Sequence, residues 1–302
     1  MARRFYTLDV FTDQPLAGNP LAVVLGADTL SDDRMQAIAG EFNLSETVFV
    51  CDPRDSINTA RLRIFTPARE LPFAGHPTVG TACLLAHLRA GGLLASQDLR
   101  VVLEEGVGDV VCEVRRRRGQ TLAATFELPR LPERLAGAPP PRAEIAAAFH
   151  LAVDDIGFDA HEPSLFSAGA PFLFVPVRSL AALRDARPGV LDTPDASEPG
   201  PAAFLYTREA ERDGSAFHAR MFGGGWGVVE DPATGSAAAA FAGVVMASDP
   251  PGDGETVLVL EQGFEMGRPS LITLGLSVEN GALRAATIGG SAVIVSSGTL
   301  DL

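Results

Sequence analysis

The stretch Ala74-Gly75-His76-Pro77-Thr78-Val79-Gly80-Thr81-Ala82-Cys83-Leu84-Leu85-Ala86 carries no charge on any face from Thr78 onward. A second stretch is built alike: Thr234-Gly235-Ser236-Ala237-Ala238-Ala239-Ala240-Phe241-Ala242-Gly243-Val244-Val245-Met246. A helix that is apolar all round belongs inside, wrapped by sheet, and small residues let strands pack close to its backbone. Each helix begins with a glycine followed by a polar residue, His76 or Ser236. The glycine lets backbone approach a ligand, and the first N–H groups of a helix have no internal partner. Such a start, buried at the positive dipole end, suits an anion. Two of them, one per half, suit a substrate carboxylate or a developing enolate; each taken singly also reads as an ordinary helix end.

Short segments rich in Val, Phe, Ile and Thr surround these helices and predict strands at 5–11, 21–25, 47–51, 60–65, 99–103, 109–114 and 122–128. Ser31 to Phe42 reads as an amphipathic helix with Ser31 as N-cap and Asp32 and Asp33 in its first turn. Proline accumulates from Leu128 to Arg142, including Pro139-Pro140-Pro141, so this segment is expected to stay out of any sheet and to mark a domain boundary. Beyond it the pattern predicts helices at 143–150 and 180–186, and strands at 172–177, 204–207, 217–222, 257–261, 271–278, 283–288 and 292–295. Gly18-Asn19-Pro20-Leu21 has an echo in Gly169-Ala170-Pro171-Phe172, and Ala74-Gly75-His76-Pro77 in Thr234-Gly235-Ser236-Ala237, each about half the chain away. The expected fold class is therefore α/β (α+β) in two pseudo-symmetric halves. Residues 1–128 would form one half and 129–289 the other.

Composition removes several function classes. The 302 residues carry 24 basic and 38 acidic side chains, a formal net charge of −14. Polyanions are repelled at long range, so no nucleic acid and no anionic membrane is expected as partner. Every basic residue is arginine, which excludes a pyridoxal Schiff base, a lysine general base and a P-loop lysine. The run Arg115 to Arg118 reads as a solvated hairpin turn. Cys51, Cys83 and Cys112 are too few and too scattered for a disulfide framework, which fits a reducing, cytoplasmic setting. His76, His87, His150, His161 and His218 show no HxH or HExxH spacing, so no metal site is expected. Gly223-Gly224-Gly225 opens no helix in a GxGxxG pattern, and a dinucleotide fold is set aside. The N-terminus has no apolar run of signal-peptide length.

The acid–base candidates are few. Glu46 lies between a helix and an apolar strand in Asn43-Leu44-Ser45-Glu46-Thr47-Val48-Phe49-Val50; in a desolvating pocket such a carboxyl both takes and returns a proton. Read alone, it is more often a solvated strand end. His76 is placed to polarise a carbonyl or relay a proton, and Asp231 reads equally as the start of a turn before the second helix.

Five blocks, in order along the chain, resemble the PhzF-type phenazine-biosynthesis proteins on the diaminopimelate epimerase-like fold. They are Gly18-Asn19-Pro20; Asn43-Leu44-Ser45-Glu46-Thr47; Phe73-Ala74-Gly75-His76-Pro77-Thr78; Glu230-Asp231-Pro232-Ala233-Thr234-Gly235-Ser236-Ala237; and Gln262-Gly263-Phe264-Glu265-Met266-Gly267-Arg268-Pro269-Ser270. The resemblance implies two halves, each a curved mixed sheet or barrel around a central helix, with the C-terminal strand near 290–302 completing the first half and the active site in the cleft between them. It further implies a homodimer, no cofactor and a small carboxylate substrate. The family's proton-shuttling glutamate falls on Glu46, its pocket histidine and aspartate on His76 and Asp231, and its substrate contacts on Asn19, Ser45, Gly75, Gly235 and Ser236. The epimerase branch places a thiol before each helix-start glycine, where this chain has Ala74 and Thr234, so a thiol-pair racemase is set aside. The expected activity is isomerisation through one glutamate, resembling trans-2,3-dihydro-3-hydroxyanthranilate isomerase. Two alternatives are a related enzyme acting on another small carboxylate and a catalytically silent ligand-binding protein. Substrate preference is expected to lie near Phe65, Thr66, Phe222 and Trp226.

Overall fold

The computed structural model describes residues 2–90, 92–116, 121–191, 201–224 and 228–301. The chain divides into two compact units: Met1–Pro129 with Gly289–Leu302, and Arg130–Ile288. Among the described residues no helix is long and apolar enough to cross a membrane.

Unit 1 contains β1 (Arg3–Val10), β2 (Asn19–Leu25), α1 (Asp32–Phe42), β3 (Glu46–Cys51), β4 (Ala60–Phe65), β5 (Glu70–Leu71), α2 (Gly75–Ala90), β6 (Leu99–Glu105), β7 (Gly108–Arg115) and β8 (Leu122–Glu127). From β1 to β7, neighbouring pairs alternate between antiparallel and parallel. β1–β2 is antiparallel, β2–β3 parallel, β3–β4 antiparallel, β4–β6 parallel, and β6–β7 and β7–β8 antiparallel. The latter part of the last strand pairs with both β1 and β8, which closes the sheet around α2. The helix runs inside because it has nothing polar to show water: from Gly75 to Ala86 every residue is buried. Gly80 makes the close packing possible. A Cβ there would lie 2.6 Å from Leu21 Cδ2 and 2.7 Å from Val10 Cγ2. The opposite faces of β2, β3 and β4 present Val24, Phe49 and Phe65 to Met35, Ile38 and Ala39 of α1. Ser31 caps α1 as its sequence predicts, accepting from the Arg34 N–H, and Asn43 ends it in the left-handed region at φ 50°.

Unit 2 repeats the order with β9 (Glu133–Arg134), α3 (Arg142–Phe149), β10 (Ser164–Ser167), β11 (Pro171–Pro176), α4 (Leu180–Asp185), β12 (Ala202–Thr207), β13 (Phe217–Phe222), β14 (Glu230–Asp231), α5 (Gly235–Ser248), β15 (Gly254–Gln262), β16 (Ser270–Glu279) and the first part of β17 (Ala282–Leu300). β10–β11 is antiparallel, β11–β12 parallel, β12–β13 antiparallel, β13–β15 parallel and β15–β16 antiparallel. That is the alternation of β1 to β7, with α5 in the place of α2. Phe174, Phe204, Tyr206 and Phe217 pack their rings on Phe241 of α5. Ile145, Phe149 and Leu183 from α3 and α4 cover the other face of the same strands.

The structure corrects three readings. The proline-rich segment does enter a sheet: Arg134 and Glu133 pair with Phe166 and Ser167. These two residues lie between Pro132 and the later prolines and keep their own N–H groups, which is all a short pairing needs. The strands predicted at 283–288 and 292–295 form one strand, β17. Gly289 within it serves close approach, since a Cβ there would lie 2.5 Å from Thr125 Oγ1. Asp231 does not start a free-standing turn; it pairs with Met221 as the last residue of β14, and the chain turns from there into α5. Arg117 and Arg118 of the basic run lie outside the described residues.

Candidate functional site

Unit 1 gathers Asn19, Ser45, Glu46, Gly75 and His76 at the ends of β2, β3 and α2. Gly18 adopts φ +65°, and a Cβ there would lie 2.3 Å from Val10 O, so only glycine lets the chain turn into β2 at Asn19. Asn19 is fully buried. The left-handed Asn43 swings the chain from α1 into β3, whose first residue, Glu46, stands beside Leu21 of β2. The Glu46 side chain is 17% exposed, and its Oε2 lies 3.5 Å from His76 Nε2.

His76 is held neutral. Burial pushes its imidazole down to about 3, outweighing a hydrogen bond to the Pro20 backbone that favours the charged ring. Nε2 faces Glu46, which leaves Nδ1–H for the Pro20 carbonyl and makes Nε2 the lone-pair nitrogen. The Asn19-Pro20 strand start therefore fixes the tautomer of the ring that faces Glu46. A separation of 3.5 Å is longer than a formed hydrogen bond. The pair can close on a shared proton or on a polar substrate group.

Unit 2 gathers Asp231, Gly235 and Ser236. Asp231 and Gly235 are buried and Ser236 is partly exposed. Thr234 is the N-cap of α5, yet its side chain makes no cap bond. The hydroxyl instead donates to Asp231 Oδ2 at 2.5 Å. One residue absent from the sequence-derived set organises this turn. Gln262, fully buried, donates through Nε2 to Asp231 O at 2.7 Å and to Thr234 Oγ1 at 3.0 Å, and accepts from Thr234 N at 3.1 Å through Oε1. The signal in the sequence was the glycine that follows it. Gly263 has φ +78°, and a Cβ there would lie 2.5 Å from Pro232 O.

Matching ion pairs precede both helix starts. Arg63 holds Glu70 through two bonds of 2.6 Å, and Arg220 holds Glu230 through bonds of 2.8 and 2.9 Å. Both are two-pronged guanidinium–carboxylate contacts of the strong kind.

Of the residues expected to set substrate preference, Phe65 and Phe222 belong to the core. Phe65 packs edge-on against Phe49, and Phe222 stacks on Phe149. The Thr66 hydroxyl donates to Arg69 O within a local turn. Trp226 lies outside the described residues. The three thiols are buried, and burial pushes Cys83 up to about 12 and Cys112 higher still, so neither is a base near neutral pH. One group has the composition of a cation site: ligand atoms of Glu211, His218 and Glu265 lie within 4.8 Å of one another. His218 already meets Glu261 Oε2 at 2.8 Å through Nδ1 and Glu265 Oε1 at 3.1 Å through Nε2. Burial opposes its charge, but the two carboxylates prevail and hold it up at about 9, so an imidazolium satisfies the cluster.

Comparison with known proteins agrees with this architecture. The model of the phenazine biosynthesis-like protein family, PhzC–PhzF, matches residues 8–298. An uncharacterized isomerase of Mesorhizobium japonicum is 49% identical over 99% of this chain and 98% of its own length. The trans-2,3-dihydro-3-hydroxyanthranilate isomerase of Pseudomonas chlororaphis is 34% identical over 99% of each chain. A crystal structure of a PhzF-family phenazine biosynthesis protein from Bacillus anthracis superposes with a TM-score of 0.85 at 26% identity, covering all of both chains. The chain belongs to the phenazine biosynthesis-like PhzC–PhzF family and is an isomerase of the PhzF type.

Proposed function

We propose that Glu46 is the single proton carrier of this isomerase. The observation that carries the reading is the facing pair: a mostly buried carboxyl and a neutral imidazole whose lone pair points at it from 3.5 Å. As carboxylate, Glu46 removes a proton from a carbon beside an unsaturated system. The π electrons shift along the substrate, and the same group, now an acid, returns the proton further along. His76 accepts a hydrogen bond from protonated Glu46 or from a substrate hydroxyl or amine. Asn19, Ser45 and the Gly75 amide bind the substrate's polar groups. In unit 2, Asp231 and the α5 start at Gly235 and Ser236 are assigned to binding polar substrate groups. General acid–base help of this kind is worth about 10²- to 10⁴-fold, and positioning and electrostatics supply the remainder. The protein's own groups carry every step, so no metal or cofactor is required.

The first candidate substrate is trans-2,3-dihydro-3-hydroxyanthranilate, on which the Pseudomonas chlororaphis relative is named to act. A second reading, a different small unsaturated carboxylic acid, is favoured by the greater identity to a relative named only as an isomerase. Incubating purified protein with trans-2,3-dihydro-3-hydroxyanthranilate and with a panel of unsaturated and amino acids, followed by NMR, separates the two. Turnover of the first compound supports the first reading; turnover only within the panel supports the second. Binding without turnover of any compound refutes both. A homodimer and a cytoplasmic setting complete the proposal, and sedimentation of the purified protein tests the former.

A further inference from the structure

The two units carry matching tripeptides at the ends of equivalent strands: Glu104-Glu105-Gly106 closing β6 and Glu261-Gln262-Gly263 closing β15. In each, the first glutamate accepts two backbone N–H groups, from Arg54 and Asp55 for Glu104 and from Glu211 and Arg212 for Glu261. The glycine of each presses on the proline before a helix start. A Cβ at Gly106 would lie 2.7 Å from Pro72 Cα, and one at Gly263 would lie 2.5 Å from Pro232 O. The middle residue of each reaches the helix start itself. Gln262 holds Asp231 and Thr234, and Glu105 lies 2.8 Å from Thr78 Oγ1 in the first turn of α2.

The proton count at Thr78 distinguishes the two units. Thr78 Oγ1 is 2.8 Å from Ala74 O and 2.8 Å from Glu105 Oε1. A hydroxyl has one proton, and a carbonyl can only accept. Two full, linear bonds exist together only when Glu105 donates, as a carboxylic acid. Its other oxygen, Oε2, is buried with no hydrogen-bond partner among the described residues, a position that disfavours a carboxylate. We propose that Glu105 is a positioning residue for the Gly75–His76 helix start, acting as a neutral acid that donates to Thr78 so that Thr78 donates to Ala74 O. The proposal rests on the role given above to Glu46 and His76.

Ionisation reverses the relay. A carboxylate at Glu105 draws the Thr78 hydroxyl bond to itself, Ala74 O keeps only the Thr78 N–H at 3.2 Å, and the backbone that presents Gly75 and His76 is loosened. Burial pushes Glu105 up to about 8, so the change falls on the alkaline side of neutrality. Of the other charged groups lining the same pocket, all but the Arg54 guanidinium have partners among the described residues. In the same 530 Å³ pocket Arg63 is held by Glu70 and Asp32, Arg61 lies 3.8 Å from Asp28, and Glu104 is tied to the Arg54 and Asp55 amides. On α2 and β7, Cys83 and Cys112 stay thiols throughout this range.

The test has two readouts on the full chain. Amide resonances of Gly75, His76 and Thr78, followed by NMR from pH 6 to 9.5, should move together with a midpoint near that of Glu105. In Glu105→Gln, whose amide donates at every pH, the step should vanish. In turnover, kcat/KM should fall about tenfold per pH unit above the midpoint, and that alkaline limb should be absent from Glu105→Gln. Thr78→Val, which removes the relay while keeping its shape, should also abolish the amide step and serves if Glu105→Gln does not fold. The amide readout needs no substrate, so a wrong assignment of Glu46 leaves it intact. Persistence of the same amide step in Glu105→Gln or Thr78→Val, or immobile amides in the wild type, overturns the proposal.

Discussion

Replacing Gln262 with leucine isolates the device that holds the α5 start. The change keeps roughly the same volume and removes contacts of 2.7, 3.0 and 3.1 Å to Asp231 O, Thr234 Oγ1 and Thr234 N. Thr234 Oγ1 retains its bond to Asp231, so the lasting loss falls on two backbone groups, each in a residue 8% exposed. A buried polar group deprived of its partner costs about 1–3 kcal/mol, which puts Gln262→Leu about 2–6 kcal/mol below the wild type. Urea unfolding at pH 7 measures that difference, and kcat/KM reports whether a displaced Asp231 matters to turnover. Gln262→Glu refines the test. Its carboxylate still accepts from Thr234 N but confronts two oxygens, so its deficit should shrink in acid, where the group carries a proton. A loss under about 1 kcal/mol in Gln262→Leu, or a Gln262→Glu deficit independent of pH, refutes the clamp.

Further outcomes follow from the same geometry. His218 is held up at about 9 against an ordinary 6.5, so its pairing with Glu261 and Glu265 stabilises fully below pH 6.5 and is lost as pH rises to 9. That difference is worth about 3 kcal/mol, and unfolding at pH 6.5 and 9.5 should show the wild type losing more stability than His218→Gln. His76 works in the opposite direction. Its value near 3 means that the unfolded chain takes up a proton first, so stability conferred by the neutral ring is present above pH 6.5 and erodes as pH falls toward 3. Acid unfolding followed by circular dichroism should begin at higher pH in the wild type than in His76→Asn. Gly18→Ala places a methyl 2.3 Å from Val10 O at φ +65° and should cost about 2–4 kcal/mol in thermal unfolding.

The sequence made the two central helices legible because their lack of charge admits only an interior position, and both are buried along nearly all of their first turns, Ser236 alone being partly exposed. It made the α1 cap legible because Ser31 and its acidic neighbours act within one turn. It split β17 in two and kept the proline-rich segment out of the sheet because the same residue types serve turns and strands, and only the neighbouring strand decides which. Glu105 and Gln262 were hidden for a different reason. Their partners, Thr78 and the Asp231–Thr234 turn, lie 27 to 31 residues away in the chain, beyond any local periodicity. Glu46 and His76 were nameable from the resemblance, but the neutrality of His76 depends on its burial and its tautomer on Pro20, and no motif spacing reveals either.

The central claim is that one carboxyl carries the proton, and the Glu46→Gln variant tests it most directly. Wild type and variant are run with the identified substrate in D2O, with turnover and deuterium position followed by NMR. The account predicts deuterium at a single product carbon in the wild type and a rate at least about 100-fold lower in Glu46→Gln. A variant that turns over within a few-fold of the wild type, with the same deuterium pattern, would contradict it.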